Sequence, residues 1–274
     1  MTAMAGSRSR PSLPVPVLVG LTLAAVIAVL FVTGVVGTDK WLPFLDPVTM
    51  RFFAEGLLLT LTIGSVSLVA SLALGIPMGI ARTALPKPLR WLLGAWIEAV
   101  RATPVLAILL ITLVVLGRMG MPRAGFQAAI IGLTLYTSAV LAVIVSAGIA
   151  SIPRGEVDAA RSLGLGYGAT MRYVVLPQAL ARMMPAIVSQ LITLIKDTSL
   201  ASIIGVFELV RHAQVFYVPF GNPMQTYLVI GLMFFLICYP LSLISRRLEA
   251  RQPVSERVIV IGEEDQLATA VSAR

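Results

Sequence analysis

Ser151–Pro177 reads SIPRGEVDAARSLGLGYGATMRYVVLP and lies between two charge-free apolar segments, Ala124–Pro153 and Met183–Ile195. Glu156 and Asp158 fall in the first turns of a helix-forming stretch, where acidic groups face the positive end of the helix dipole. Gly164, Gly166 and Gly168 then interrupt the helix, and ATMRYVV supports a second short one. Pro177 has no N–H to lose and suits the first turn of the next helix. The expectation is helix, glycine corner, helix, across a connector of about 25 residues. A connector of that length in a compact chain usually carries function. Its bland alternative is an amphipathic interfacial segment that only closes the bundle.

Outward from this stretch the chain is apolar. Its 274 residues are 58% hydrophobic and 12% charged, with mean hydropathy +0.93, whereas a soluble domain is roughly a quarter charged. A bilayer core of about 30 Å takes about 20 apolar residues per helix, and the charge-free runs supply six such helices. The first lies in the 28 uncharged residues between Arg10 and Asp39, which exceed a signal-peptide core and show no cleavage site. The second lies between Glu55 and Arg82, with Gly75 and Gly79 at a spacing that permits close helix contact. The third runs from near Trp91 to Gly117, the fourth occupies Ala124–Pro153, the fifth follows Pro177 to Phe207, and the sixth lies within His212–Ser245.

Loop charge sets the orientation of such a bundle. With the N-terminus inside, 14 of the 21 basic residues fall in cytoplasmic segments and 5 in external ones. Residues 1–15 are therefore expected to form a cytoplasmic tail, 16–247 a transmembrane domain carrying the 151–177 loop, and 248–274 a second cytoplasmic tail of mixed charge. The net charge of +8 is accounted for by this bias, and no nucleic-acid partner is expected.

The lone His212 and the lone Cys238 exclude multi-histidine and multi-cysteine metal sites, and no intrachain disulfide can form. No nucleophile–base arrangement can be assembled from them, and no G-x-x-x-x-G-K-[ST] is present, so neither catalysis nor nucleotide binding is expected of this chain. Glu98, Arg101, Lys196 and Asp197 fall at or within spans, where an unpaired charge costs about 2.5 to 3.5 kcal/mol or more. Glu98 and Arg101, at i and i+3, share a helix face. They read as a structural pair, as snorkelling groups, or as lining of a path. Lys196 and Asp197 point about 100° apart. Each either contacts substrate, with Lys196 toward a carboxylate and Asp197 toward an ammonium, or is satisfied in packing by Thr198 and Ser199. Pro104, after Thr103, is expected to bend or open the third helix.

The order Asp158-Ala159-Ala160, three residues, Gly164, nine residues, Val174, one residue, Leu176-Pro177 resembles the EAA loop of permease subunits of ABC importers. Asp158 stands where that family usually has Glu, and Val174 where it often has Ile. GLLLTLTIGSVSLVASLALGIPMGIAR, IEAVRATPVL and LIKDTSLASIIGVFEL extend the resemblance from about Phe53 to Arg247, within the polar amino acid branch. KWLPFL, the extra N-terminal helix and the charged tail are similar to glutamate-uptake permeases. AVIVSAGI departs from the family's A-E-I-x-R-G-G-I, with Val143 and Ser146 at the charged positions.

The resemblance implies an all-α integral membrane protein of the type I importer permease fold, a five-helix core plus an N-terminal helix, in the cytoplasmic membrane. It implies that Glu156, Asp158, Ala159, Ala160, Gly164, Leu176 and Pro177 belong to a loop that docks on an ATPase subunit. Glu98, Arg101, Thr103, Lys196, Asp197 and Thr198 are the candidate substrate path. No cofactor is expected in this chain; ATP and Mg belong to the ATPase. The further partners implied are a second permease, related or identical, and an extracytoplasmic amino acid binding protein, all around a lipid bilayer. The alternative from another class is a secondary transporter driven by an ion gradient, with Glu98 and Asp197 as ion sites, although no internal repeat supports it.

Overall fold

The computed structural model describes residues 37–250, together with Val29. Both expected tails, except for residues 248–250, and all but these few residues of the first expected span lie outside the described residues. A 3-10 turn, Thr38–Leu45, leads into α1, Pro47–Ala84. Asp46 accepts the Val48 N–H at 3.0 Å and Pro47 occupies the first turn, so a helix start was written in the Asp-Pro pair.

The 38 residues of α1 bury a stripe of small or hydroxylated positions, Gly56, Thr60, Gly64, Ser67, Ser71, Gly75 and Gly79, spaced mostly by four. Most of its large side chains point out instead, with Leu58 66% and Val69 67% exposed, although Phe53 and Ile63 are buried. That inversion of the soluble pattern fits a helix whose outer face meets lipid and whose inner face meets protein. The partner is α4, Ala124–Ala150. A Cβ on Gly75 would lie 2.7 Å from the Leu141 Cβ, and one on Gly79 would lie 2.5 Å from the Val145 Cβ. Ser67 and Ser71 donate across the same seam to the Ile130 and Thr134 carbonyls at 3.4 and 3.3 Å.

Between them the third expected span is broken. Helix α2, Lys87–Ala102, meets α3, Val105–Arg118, at a bend of 100° around Thr103–Pro104. The bend expected from Pro104 is present, and its cause is the missing N–H and the extended conformation imposed on Thr103. The apolar α3 is 14 residues, about 21 Å at 1.5 Å per residue, too short to cross alone.

After α4 comes α5, Arg154–Ser162, then a one-turn helix α6, Tyr167–Thr170, a π turn Met171–Val175, and α7, Leu176–Asp197, which continues through a 3-10 turn to Ser202. Helices α8, Leu209–Phe220, and α9, Pro223–Ala250, complete the chain. Among the described residues, four helices are long and apolar enough to cross a bilayer, and the bent pair makes five. The sixth expected span starts within its expected stretch, at Pro223, and runs on to Ala250. The uncharged run from His212 is cut at Gly221, which takes φ +59, with Asn222 and Pro223 following.

Candidate coupling hairpin and polar cavities

The 151–177 stretch folds as the expected hairpin. Pro153 is extended and starts α5, and the helix closes on Gly164, whose φ of +77 is a left-handed conformation that glycine takes without strain. The Gly164 N–H donates to the Arg161 carbonyl at 2.9 Å and the Leu165 N–H to the Ala160 carbonyl at 3.2 Å, the paired bonds of a Schellman ending. Glu156 accepts from the Gln178 amide at 3.3 Å and so ties α5 to α7. Arg182 on α7 donates to the Ser151 carbonyl at 2.7 Å, tying it to the end of α4.

One face of α5 is anchored and the other is free. Ala160 is buried, and Val157 packs into an apolar cluster with Ile152, Val175, Ala179 and the α1 residues Ile76 and Ile80. Asp158 and Ala159 face outward. Beside them Leu163 is 83% exposed, an apolar knob at the corner of the hairpin and not among the expected loop residues. Its signal was a leucine held next to the glycine that ends the helix.

Pro177 lies in the first turn of α7, as expected, but α7 follows the preceding turns directly, so the chain is helical without interruption from Tyr167 to Ser202. With no proline N–H to pair, the backbone shifts to a π turn just before it, and the Leu176 N–H reaches back to the Met171 carbonyl. The second arm of the hairpin is therefore one rigid piece with a membrane helix. The Val157 cluster and the Glu156–Gln178 hydrogen bond connect α5 to this piece.

The candidate path residues do not converge. Arg101 donates to both Glu98 oxygens, at 3.0 and 3.2 Å, on the partly exposed face of α2. The pair therefore sits on the charged side of the break and outside the apolar half of the bent span. Thr103 caps α2, donating to the Ala99 carbonyl at 2.8 Å, and lines a cavity of about 290 Å³ with Trp96, Ile108, Thr112 and Leu135. Lys196 lines a separate cavity of about 300 Å³ between α7 and α9, with Ser199, Tyr227, Ile230 and Phe234. Asp197 is half-buried and Thr198 is buried.

Local satisfaction by hydroxyls is not what is seen: Thr198 and Ser199 donate to the Ile195 and Lys196 carbonyls, each at 2.6 Å. Gln190, seven residues before Asp197 and on the same face of α7, has a buried side-chain nitrogen without a partner. Glu208 was also passed over as a site residue. It is fully buried at the start of α8, accepts the Arg211 N–H at 2.8 Å and lies 3.4 Å from the Thr60 hydroxyl on α1. Burial pushes its carboxyl up to about 7, against the opposing pull of the Val210 and Arg211 N–H groups and Thr60.

The described residues thus form an apolar helical bundle with a two-helix excursion, α5 and α6, between α4 and α7. The family described as "Binding-protein-dependent transport system inner membrane component" matches residues 71–253. The chain belongs to this permease family. The permease is 39% identical over 206 residues to the "Probable glutamine ABC transporter permease protein GlnP" of Bacillus subtilis (strain 168), covering 74% of this chain and 94% of that one. It is 31% identical to the "Glutamate transport system permease protein GluD" of Corynebacterium glutamicum over 79% of this chain and 81% of the relative. A solved structure titled "Crystal structure of an amino acid ABC transporter with histidines" superposes with a TM-score of 0.68 at 29% identity, over 76% of this chain and 99% of that one. The permease is thus a multi-pass membrane subunit of an amino acid ABC importer, and not an enzyme.

Proposed function

We propose that the permease carries glutamate or a closely related polar amino acid inward, with ATP and Mg held by a partner ATPase and the amino acid delivered by an extracytoplasmic binding protein. A second permease, identical or related, completes the path. Similarity to the glutamine and glutamate permeases supports this substrate class. In this reading the exposed Asp158, Ala159 and Leu163 face of the hairpin docks on the ATPase, and both chain termini face the cytoplasm.

The observation that carries the coupling role is the unbroken helix from Tyr167 to Ser202. It joins the exposed hairpin corner to Lys196 and Asp197, so ATPase closure tilts the helix bearing the candidate substrate groups. Lys196, in its open cavity, attracts the substrate carboxylate; Asp197, on the Gln190 face, attracts the ammonium group.

Gly164→Arg tests the docking role, because a side chain at φ +77 is strained and a bulky cation would sit at the corner. The variant is expected to reach the membrane normally while ATP-driven uptake falls at least tenfold. Unimpaired uptake would refute the docking role. For the path, Lys196→Ala should lower uptake of an acidic amino acid with the assembled complex intact; loss of assembly in step with uptake would assign Lys196 to packing.

A further inference from the structure

We propose that the groove at the α1–α2 elbow is a binding site for the headgroup of an acidic phospholipid. Arg82 ends α1, and Lys87 and Arg90 begin α2 only a few residues later; with Trp91, Gly94 and Glu98 they line a cavity of about 380 Å³. Glu98 is committed to Arg101 by two hydrogen bonds. Among the described residues no ion pair includes Arg82, Lys87 or Arg90. The groove therefore carries an uncompensated triple positive charge.

Its shape suits one occupant. Arg90 is pinned by donating through Nε and Nη2 to the Leu85 carbonyl, at 3.3 and 3.0 Å, which leaves its other N–H groups for an anion. The floor at Gly94 is open, with no atom within 4 Å of where a Cβ would stand. Immediately beside the cations Trp91 is 75% exposed, with Leu89 and Leu92 also exposed. Cations, an exposed indole and exposed leucines on one short stretch offer charge to a phosphate and an apolar edge to an acyl chain. An acidic protein surface would match the charges but would leave this apolar edge unused. Basic pockets between membrane helices hold anionic headgroups by the same charge complementarity. Thr83, next to Arg82, lines the cavity beneath the hairpin with Val157 and Tyr167, so the bound lipid adjoins the proposed coupling element. The site itself does not depend on the substrate or on the docking role.

The test uses the assembled transporter in nanodiscs, with Trp91 fluorescence isolated by subtracting a Trp91→Phe variant. Quenching by brominated phosphatidylglycerol is compared with quenching by brominated phosphatidylcholine at matched mole fraction. Phosphatidylglycerol is expected to be preferred, and the preference to fall about fivefold for each cation removed in Arg82→Gln and Arg82→Gln/Lys87→Gln. Raising salt on the unaltered protein should weaken the same preference, a readout that needs no variant to fold. Equal quenching by both lipids overturns the proposal. Absence of quenching by either lipid also overturns it, since the face is then covered by protein. Full reversal by millimolar inorganic phosphate would assign the groove to the free anion and overturn the lipid source.

Discussion

At the scale of a residue, Glu208 is the group whose environment is most at odds with its chemistry. It sits in the connector between the span ending at Ser202 and the one starting at Pro223. The Thr60 hydroxyl has one proton and three neighbours: it lies 3.0 Å from the Gly56 carbonyl, 3.4 Å from Glu208 Oε2, and 3.0 Å from the Leu209 N–H that it accepts. A protonated Glu208 can donate to Thr60, leaving Thr60 free to donate to Gly56. An ionised Glu208 competes for the Thr60 proton in a site that offers it no cation; the nearby His212 ring lies against the Glu208 carbonyl, Nδ1 at 3.1 Å, and Arg211 is engaged with Gln214.

With its folded pKa raised from 4.5 to about 7, folding takes up a proton between those values. Stability is then complete below about pH 4.5, declines as pH rises through 7, and carries the full penalty above it. The penalty is of order 3 kcal/mol. Thermal unfolding of the detergent-solubilised complex is expected to show a midpoint that falls from pH 5 to pH 8. Glu208→Gln, which keeps an acceptor for the Arg211 N–H, should flatten that dependence. An unchanged slope in the variant would place the titrating group elsewhere.

At the scale of an element, the α1–α4 seam decides the bundle, and it is a seam of backbones. Gly79→Ala forces a methyl group to within 2.5 Å of the Val145 Cβ and 2.8 Å of the Ala142 carbonyl. Overpacking of this kind costs about 1 to 3 kcal/mol. The expected result is a lower unfolding midpoint and less mature protein in the membrane. Gly94→Ala provides the contrast, since it meets nothing within 4 Å and improves helix propensity by roughly 0.5 to 1 kcal/mol. Equal behaviour of the two variants would deny the close crossing.

The same elements show what could be read beforehand. Gly75 and Gly79 announced a close contact, and Thr103-Pro104 announced a bend, because each rests on local sterics. The exact start of α9 within the uncharged run from His212 could not be read from charge, because counting charges ignores backbone breakers: Pro219, Gly221 and Pro223 all lie inside that run. The π turn before Pro177 was not legible, since a proline early in a helix is compatible with a new start or with a continued helix, and only packing chooses. Glu208 was hidden for the opposite reason. Its partner Thr60 lies 148 residues away, and no local pattern marks a glutamate as buried.

At the scale of the whole molecule, the fold gathers the basic loop residues whose bias bears on sidedness. Arg82, Lys87 and Arg90 cluster at the α1–α2 elbow, and Thr83 shares a cavity with Val157 and Arg161 of the hairpin, so these basic residues gather at one end of the bundle. The opposite end holds the aromatic cluster of Phe44, Phe53 and Phe216 and the exposed Arg51–Glu55 pair; of the 21 basic residues, only Lys40, Arg51, Arg118, Arg123 and Arg211 fall in the segments of that side. On the basic bias we propose that the hairpin end faces the cytoplasm. Single cysteines at Ser162, exposed on α5, and at Val48, exposed at the start of α1, report the two ends in a Cys238→Ser background. In intact cells a membrane-impermeant maleimide is expected to label Val48→Cys and to spare Ser162→Cys until the membrane is opened. Labelling of Ser162→Cys in intact cells would invert the bundle, and with it the side from which an ATPase reaches the hairpin.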